Sequence, residues 1–345
     1  MRSYNRSVLT PRQELILQKV VLAYQATVQP VASRTLAADP ALRAGPSTVR
    51  HELAQLEEHG FLAHPHTSAG RVPTDSGYRY FVDRLLPATQ ATSGTLELAL
   101  TRREVDEAMR ATTETLSQVT NLLAIVSAPP LETATIKHIE ILPLQPQIVM
   151  VVIITSTGGV SKRMLTFEAP VDSGLVGWAS EFLNEALVGM GLGARMLHAK
   201  LVDPTLRPTE RGFIDRLAPA LTQLAETAED SLYVDGAARL LSEHRFQDLT
   251  QINEIMQMLE GRVTLLAMLR TALDERDVIV RIGAENETPA LRSLAMVTAG
   301  YGLPLRSLGT VSLIGPVAMD YGMTIGVVRE AAHQLSRFIE DVYDE

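Results

Sequence analysis

Along the first quarter of the chain, apolar positions recur in three helical registers and then switch to short extended runs. Leu15, Ile16, Val20 and Ala23 follow Thr10, Pro11 and Gln13, a capping-box start with proline at the first helical position, and predict a helix ending near Gln25. A short second helix is expected over "RTLAAD", with Ser33 as candidate cap and Pro40 as stop. A third is expected over "GPSTVRHELAQLEEHG", where Gly45 caps, Pro46 takes the first position and Gly60 ends it. Its inner face is Val49, Leu53 and Leu56; Ser47, Thr48, His51 and Gln55 lie opposite, with Arg50 on the flank. After Gly60, "FLAHPH" and "GRVPT" read as two edge strands joined by "TSAG", and Thr74 then caps a helix over "DSGYRYFVDRLL". Three helices followed by a two-stranded ribbon is the order of a winged helix-turn-helix.

Beyond a polar linker, "PATQATSG" (Pro87 to Gly94), the stripe Val105, Met109, Thr112, Leu116, Val119, Leu123 and Val126 predicts one long helix ending at "SAPP". It fits a helix packed on its own domain or an intermolecular coiled coil, and the polar Thr112 favours the former. From Thr133 strands are expected at "TIKHIEIL", "QIVMVVIIT" and "VSKRMLTFE", the last two closing a hairpin through "STGG". An almost wholly helical stretch is expected from Asp172 to Leu241. A helix over "DLTQINEIMQMLEGRVTLLAMLRTAL", strands at "DVIVRIG", "LAMVTAG" and "GTVSLIG", and a closing helix with Ile325, Val328, Ala332, Leu335 and Ile339 on one face follow. The fold class is α+β and multidomain: residues 1–86, a linker and long helix over 87–132, a sheet domain from 133–171 plus 242–345, and a helical subdomain inserted at 172–241.

Composition narrows the function. At 345 residues with 46% apolar content the chain is long enough for two or three cores. Its longest apolar run, "QIVMVVIIT", has strand length, and "MRSYNRSVLTPRQE" lacks the apolar core of a signal peptide, so a cytoplasmic protein with no membrane partner is expected. Without cysteine there is no disulfide, thiolate nucleophile or Cys-based zinc site. The net charge of −9 is uneven: residues 1–86 hold ten Lys/Arg against seven Asp/Glu, and the acidic excess lies in the rest. A cationic module on an acidic body fits a front end that meets phosphates.

Enzymatic readings find little support. "TSAGRVPT" lacks the spacing of a phosphate loop, and "TSTGGVSKR" turns between strands instead of entering a helix. His59, His64 and His66 have no acidic residue following them in the ribbon to complete a metal site. His138 and Glu140 share one side of a strand, as a half-exposed ion pair would. No catalytic residue, cofactor or metal is therefore expected. For DNA, "SRT" (Ser33, Arg34, Thr35) opens the second helix with two hydroxyls and a guanidinium suited to phosphate. On the third helix, Ser47, Thr48, Arg50, His51 and Gln55 offer donors and acceptors suited to base edges. Alone, that helix reads equally as a core helix with a solvated face; the ribbon decides for DNA. It places Ser68 and Gly70 at its turn, Arg71 just after it to probe a neighbouring minor groove, and His64 and His66 beside it.

The runs "LTPRQELILQKVVLAYQATVQPVASRTLA", "STVRHELAQLEEHGFLAHPHTSAGRVPTDSGYRYFVDRLL" and "GPVAMDYG" closely resemble the bacterial heat-inducible transcription repressors HrcA, in order and along the whole chain. The resemblance implies an N-terminal winged helix, a GAF-like domain and an inserted dimerisation subdomain. It also implies a homodimer on an inverted-repeat CIRCE operator upstream of chaperone operons, kept active by the GroEL-type chaperonin. Several positions differ from the family's usual residues: His51 stands where Asn is common, Gly45 and Pro46 where serines are, and Ala318 where Arg is. The GAF-like domain leaves a second reading open, a one-component regulator that senses a small ligand.

Overall fold

The computed structural model describes residues 9–65, 70–86, 98, 105–129, 135–156, 160–191, 196–201, 205–227, 232–242, 249–261, 265, 269, 277–304 and 306–344. The N-terminal unit comprises α1 (Pro11–Thr27), α2 (Ser33–Ala37), α3 (Pro46–Glu58), β1 (Leu62–Ala63), β2 (Val72–Pro73) and α4 (Asp75–Tyr80), which runs on as a wide turn over Phe81–Leu85. The expected cap of α1 forms in full: Thr10 Oγ1 accepts from Gln13 N–H, and the Gln13 side chain accepts from Thr10 N–H. β1 and β2 pair antiparallel, Leu62 opposite Pro73. Ile16, Leu17, Val20, Val49, Leu53, Leu56, Tyr78 and Phe81 are buried together. At about 1.5–3 kcal/mol for each fully buried large apolar side chain, this core decides how the helices are rotated.

The body is a five-stranded antiparallel sheet in the order β7 (Leu232–Asp235), β3 (Leu123–Ser127), β10 (Arg306–Pro316), β9 (Leu294–Leu303), β8 (Ile279–Ile282). Ala124, Val126, Val297, Val311 and Leu313 face α5 (Val105–Thr120) and the last helix, α11 (Tyr321–Asp344). Leu123, Ile125, Met296 and Ile314 face the other way, onto Leu240 of α9 (Ala237–Ser242) and Ile255 and Met258 of α10 (Leu249–Glu260). The expected inner face of α11 (Ile325, Val328, Ala332, Leu335, Ile339) is buried in the first of these cores, which continues without a break into that of the N-terminal unit.

A second sheet, β4 (Ile136–Gln145), β5 (Ile148–Thr155) and β6 (Val160–Thr166), pairs in that order and, among the described residues, shares no strand pairing with the first. One face carries Ile139, Ile141, Val149, Val151 and Ile153 against α6 (Ser173–Leu187), α7 (Met196–Leu201) and α8 (Pro208–Thr227), a core of its own. Asn184 of α6 ties helix to sheet, bonding both N–H and C=O of Ile139 at 2.9 and 2.6 Å.

Three sequence expectations are corrected. The strands of 133–171 do not join those of 242–345; they form the floor of the helical insertion, because their inner apolar rows face α6–α8. The stripe from Val105 does not continue as helix to Val126: α5 stops at Thr120, Asn121 takes φ 57°, and Leu123 and Val126 belong to β3, buried on both faces of the sheet. The stretch to Leu241 is interrupted by β7, which pairs with β3. The linker from Pro87 to Gly94 and the "STGG" turn beyond Ser156 lie outside the described residues.

Candidate nucleic-acid interface

Burial of Val49, Leu53 and Leu56 turns one face of α3 outward, and Ser47, Arg50, His51, Ala54 and Glu58 stand exposed on it at spacings of three and four. Gly45, extended, is the N-cap and Pro46 the first helical residue, the start read from the sequence. Thr48 is half-buried at the edge of this face. Gln55 is committed elsewhere: its Oε1 accepts from Gln13 Nε2 of α1 at 2.9 Å. It ties the two helices together, a bond that its place among the expected base-facing residues did not foresee.

In α2 the cap is Ala32, which offers no side-chain bond, and Ser33 is the first helical residue, half-buried. Leu36 anchors the helix, leaving Arg34 and Thr35 exposed. The turn to α3 places Arg43 at φ 44°, exposed, with Leu42 buried beside it. Sequence reading passed over Arg43; a lone cation between two short helices was the available signal. The end of α2 is moored to α1 by an ion pair from Lys19 to Asp39. The Lys19 hydrogen bond, with one from Ala41 N–H, holds the Asp39 carboxyl below its ordinary range.

The ribbon is tied to α3 by one carboxylate. Glu57, in the last turn of α3, accepts from His64 Nδ1 on one oxygen and from Arg71 Nη2 on the other, both at 2.8 Å. His64 follows β1 and Arg71 precedes β2, so Glu57 grips both legs of the ribbon below its turn. Arg71 was expected to project as a probing charge. Its side chain is instead only 13% exposed, folded back on Glu57, while its backbone exchanges two 2.9 Å bonds with Val31. Gly70 explains that approach: a Cβ there would fall 2.4 Å from the Val31 carbonyl oxygen. The glycine serves a close backbone crossing, and no side chain fits in its place. His66 and Ser68 lie outside the described residues. The expected pair on β4 is present, His138 Nε2 to Glu140 at 3.0 Å.

Residues 106–325 match the family model described as the HrcA protein C terminal domain. A heat-inducible transcription repressor HrcA of Parafrankia sp. (strain EAN1pec) is 36% identical over 338 residues, covering 96% of this chain and 99% of its own. That of Thermobifida fusca (strain YX) is 36% identical over 340 residues, 97% and 98% of the two chains. That of Bacillus pumilus (strain SAFR-032) is 31% identical over 348 residues, 98% and 100%. A crystal structure described as a hypothetical protein superposes with a TM-score of 0.69 at 21% identity over 97% of this chain and 99% of its own, which shows a shared fold.

Proposed function

The chain belongs to the HrcA family of heat-inducible transcription repressors, and from that premise we propose that it represses heat-shock chaperone operons by binding an inverted-repeat, CIRCE-type operator as a homodimer in the cytoplasm. The observation that carries this reading is the outward face of α3. Ser47, Arg50 and His51 stand exposed on a helix held by a buried core, with Arg34, Thr35 and Arg43 on the helix and turn before it. That is the arrangement of a recognition helix entering the major groove while its neighbour meets phosphates. Residues 1–86 are then a winged helix-turn-helix, and the five-stranded body is the GAF-like domain that the family resemblance implies.

The homodimer has support in the outer face of the second sheet. Its cross-strand rows are Leu142–Met150–Met164, Glu140–Val152–Lys162 and His138–Ile154–Val160. Met164 and Val160 are 71% and 66% exposed. An apolar centre flanked by an acid on one edge strand and a base on the other is complementary to a second copy of itself. A GroEL-type chaperonin as maintaining partner rests on the family resemblance alone.

Retardation of an inverted repeat from upstream of a chaperone operon tests the reading: a two-fold complex is expected, and no shift beyond that of random DNA would refute it. A cavity of about 500 Å³ lined by Asp106, Arg110, Glu114, Tyr233 and Asp235 supports a second reading, a regulator sensing a small polar ligand in the body. Native mass spectrometry showing a bound metabolite that shifts DNA affinity would favour it.

A further inference from the structure

We propose that Arg79 and Glu285 are positioning residues that fix the angle between the DNA-contacting unit and the body, and thereby the spacing of half-sites the dimer accepts. The inference rests on the operator reading above. Arg79 lies on α4, and its Nε donates to Glu285 Oε1 at 2.8 Å while Nη2 donates to the second carboxylate oxygen, a bidentate pair. Nη2 also donates to the Val280 carbonyl of β8 at 2.5 Å, and Nη1 to Asp83 at 3.2 Å. Burial opposes the charge of Arg79; Glu285 and then Asp83 outweigh it, and its pKa is raised. Glu285 is itself held, since it accepts from Ile282 N–H at 2.8 Å. Both partners are thus pinned from their own side, and a planar guanidinium on a fixed carboxylate defines an orientation as well as a contact.

Further contacts at two places accompany the pair. Asp75, at the start of α4, accepts from Ala284 N–H at 2.9 Å, and Gly283, at φ +52°, passes so close that a Cβ would fall 2.0 Å from the Asp75 carboxylate. At a second place, Tyr78 packs on Tyr321 with ring centroids 5.8 Å apart, and Gln25 Nε2 donates to the Met319 carbonyl at 2.6 Å. Attachment at the start of α11 with the single Asp75 bond at β8 would leave a swivel; the bidentate Arg79–Glu285 pair closes it. The orientation reaches α3 through Thr74, which bonds the Gly60 and Phe61 carbonyls at the end of that helix. In a two-fold dimer the distance between recognition helices must match the half-site spacing, about 34–36 Å for one helical turn, so a rigid attachment selects one spacing and a loose one accepts several.

The test uses the full chain as wild type, Glu285→Gln and Arg79→Lys, on inverted repeats whose spacer is varied base pair by base pair, and on a single half-site. Wild type is expected to show one spacing optimum. Both variants are expected to keep wild-type affinity for the half-site while their preference for the optimal spacer falls about tenfold. A sharp wild-type profile retained by both variants would overturn the latch and leave the operator reading intact. Half-site affinity lost in step with full-site affinity would also overturn it, because the damage would then lie in the DNA unit and not in its angle. Wild type binding no inverted repeat would remove the operator reading and the latch with it.

Discussion

Arg71 is bonded to Glu57 through Nη2 and Oε2 at 2.8 Å, and the second oxygen of the same carboxylate holds His64. A guanidinium so engaged spends its charge inside the protein. Arg71→Ala is therefore expected to weaken operator binding by misplacing the ribbon while leaving the dependence on salt unchanged. Replacing a phosphate contact would instead lower the slope of log K on log salt by about 0.9. Glu57→Ala should lose a similar affinity, and the double variant little more than either, with a coupling of about 1–2 kcal/mol for this partly exposed pair. Titrations at several salt concentrations decide it; a shallower slope in Arg71→Ala would show that Arg71 leaves Glu57 for the backbone.

Arg50 and His51 stand exposed on the outer face of α3. Arg50→Ala is expected to reduce the salt slope by about 0.9 per protomer if it meets phosphate, or to cost about 1–3 kcal/mol at one base pair if it reads a base. His51→Ala should relax discrimination at one half-site position. Binding profiles across a library of single-base operator variants measure both, and profiles identical to wild type would exclude the two residues from the interface.

The contrast between these residues and Arg71 shows where sequence reading ended. The period of Val49, Leu53 and Leu56, and the capping pattern of Thr10 with Gln13, are local, so α1 and α3 were legible with their faces. The partners of Arg71 and Gln55 are not local. Gln55 meets a residue 42 positions away, and nothing in its own helix distinguishes a strut from a base reader. The same limit governs β3: Leu123 and Val126 continue the heptad spacing of α5, and only pairing with β10 and β7 makes them strand. Strands β4–β6 were legible one by one, while their separation from the main sheet depends on which helices cover them.

Acid should loosen the N-terminal unit at Asp39. Its carboxyl is held below the ordinary value of 3.8, first by the hydrogen bond from Lys19. A lowered carboxylate pKa contributes stability that is fully present above the unfolded value and is lost as pH falls toward the folded one. Asp39→Asn is thus expected to lower Tm at neutral pH and to show a shallower decline than wild type below about pH 5, the two curves converging in acid. Calorimetry across that range checks it, and parallel curves would mean that Asp39 titrates alike in folded and unfolded chains.

The homodimer proposed on the outer face of the second sheet makes a prediction about how it breaks and how it can be repaired. Val152 sits between Glu140 on β4 and Lys162 on β6, in one cross-strand row. With a two-fold axis along the strands, β4 of one copy lies over β6 of the other, so Glu140 meets the other copy's Lys162 and the apolar rows meet each other. Val152→Asp places an unpaired carboxylate in the centre and should raise the dimer dissociation constant by about a hundredfold, giving monomers in sedimentation at micromolar concentration. Lys162→Glu should weaken association, because it sets carboxylates against each other across the axis. Lys162→Glu combined with Glu140→Lys restores opposite charges across the axis and should recover dimerisation. If the exchange fails to recover it while Val152→Asp still gives monomers, the copies meet on this face in another orientation; if Val152→Asp stays dimeric, they do not meet here.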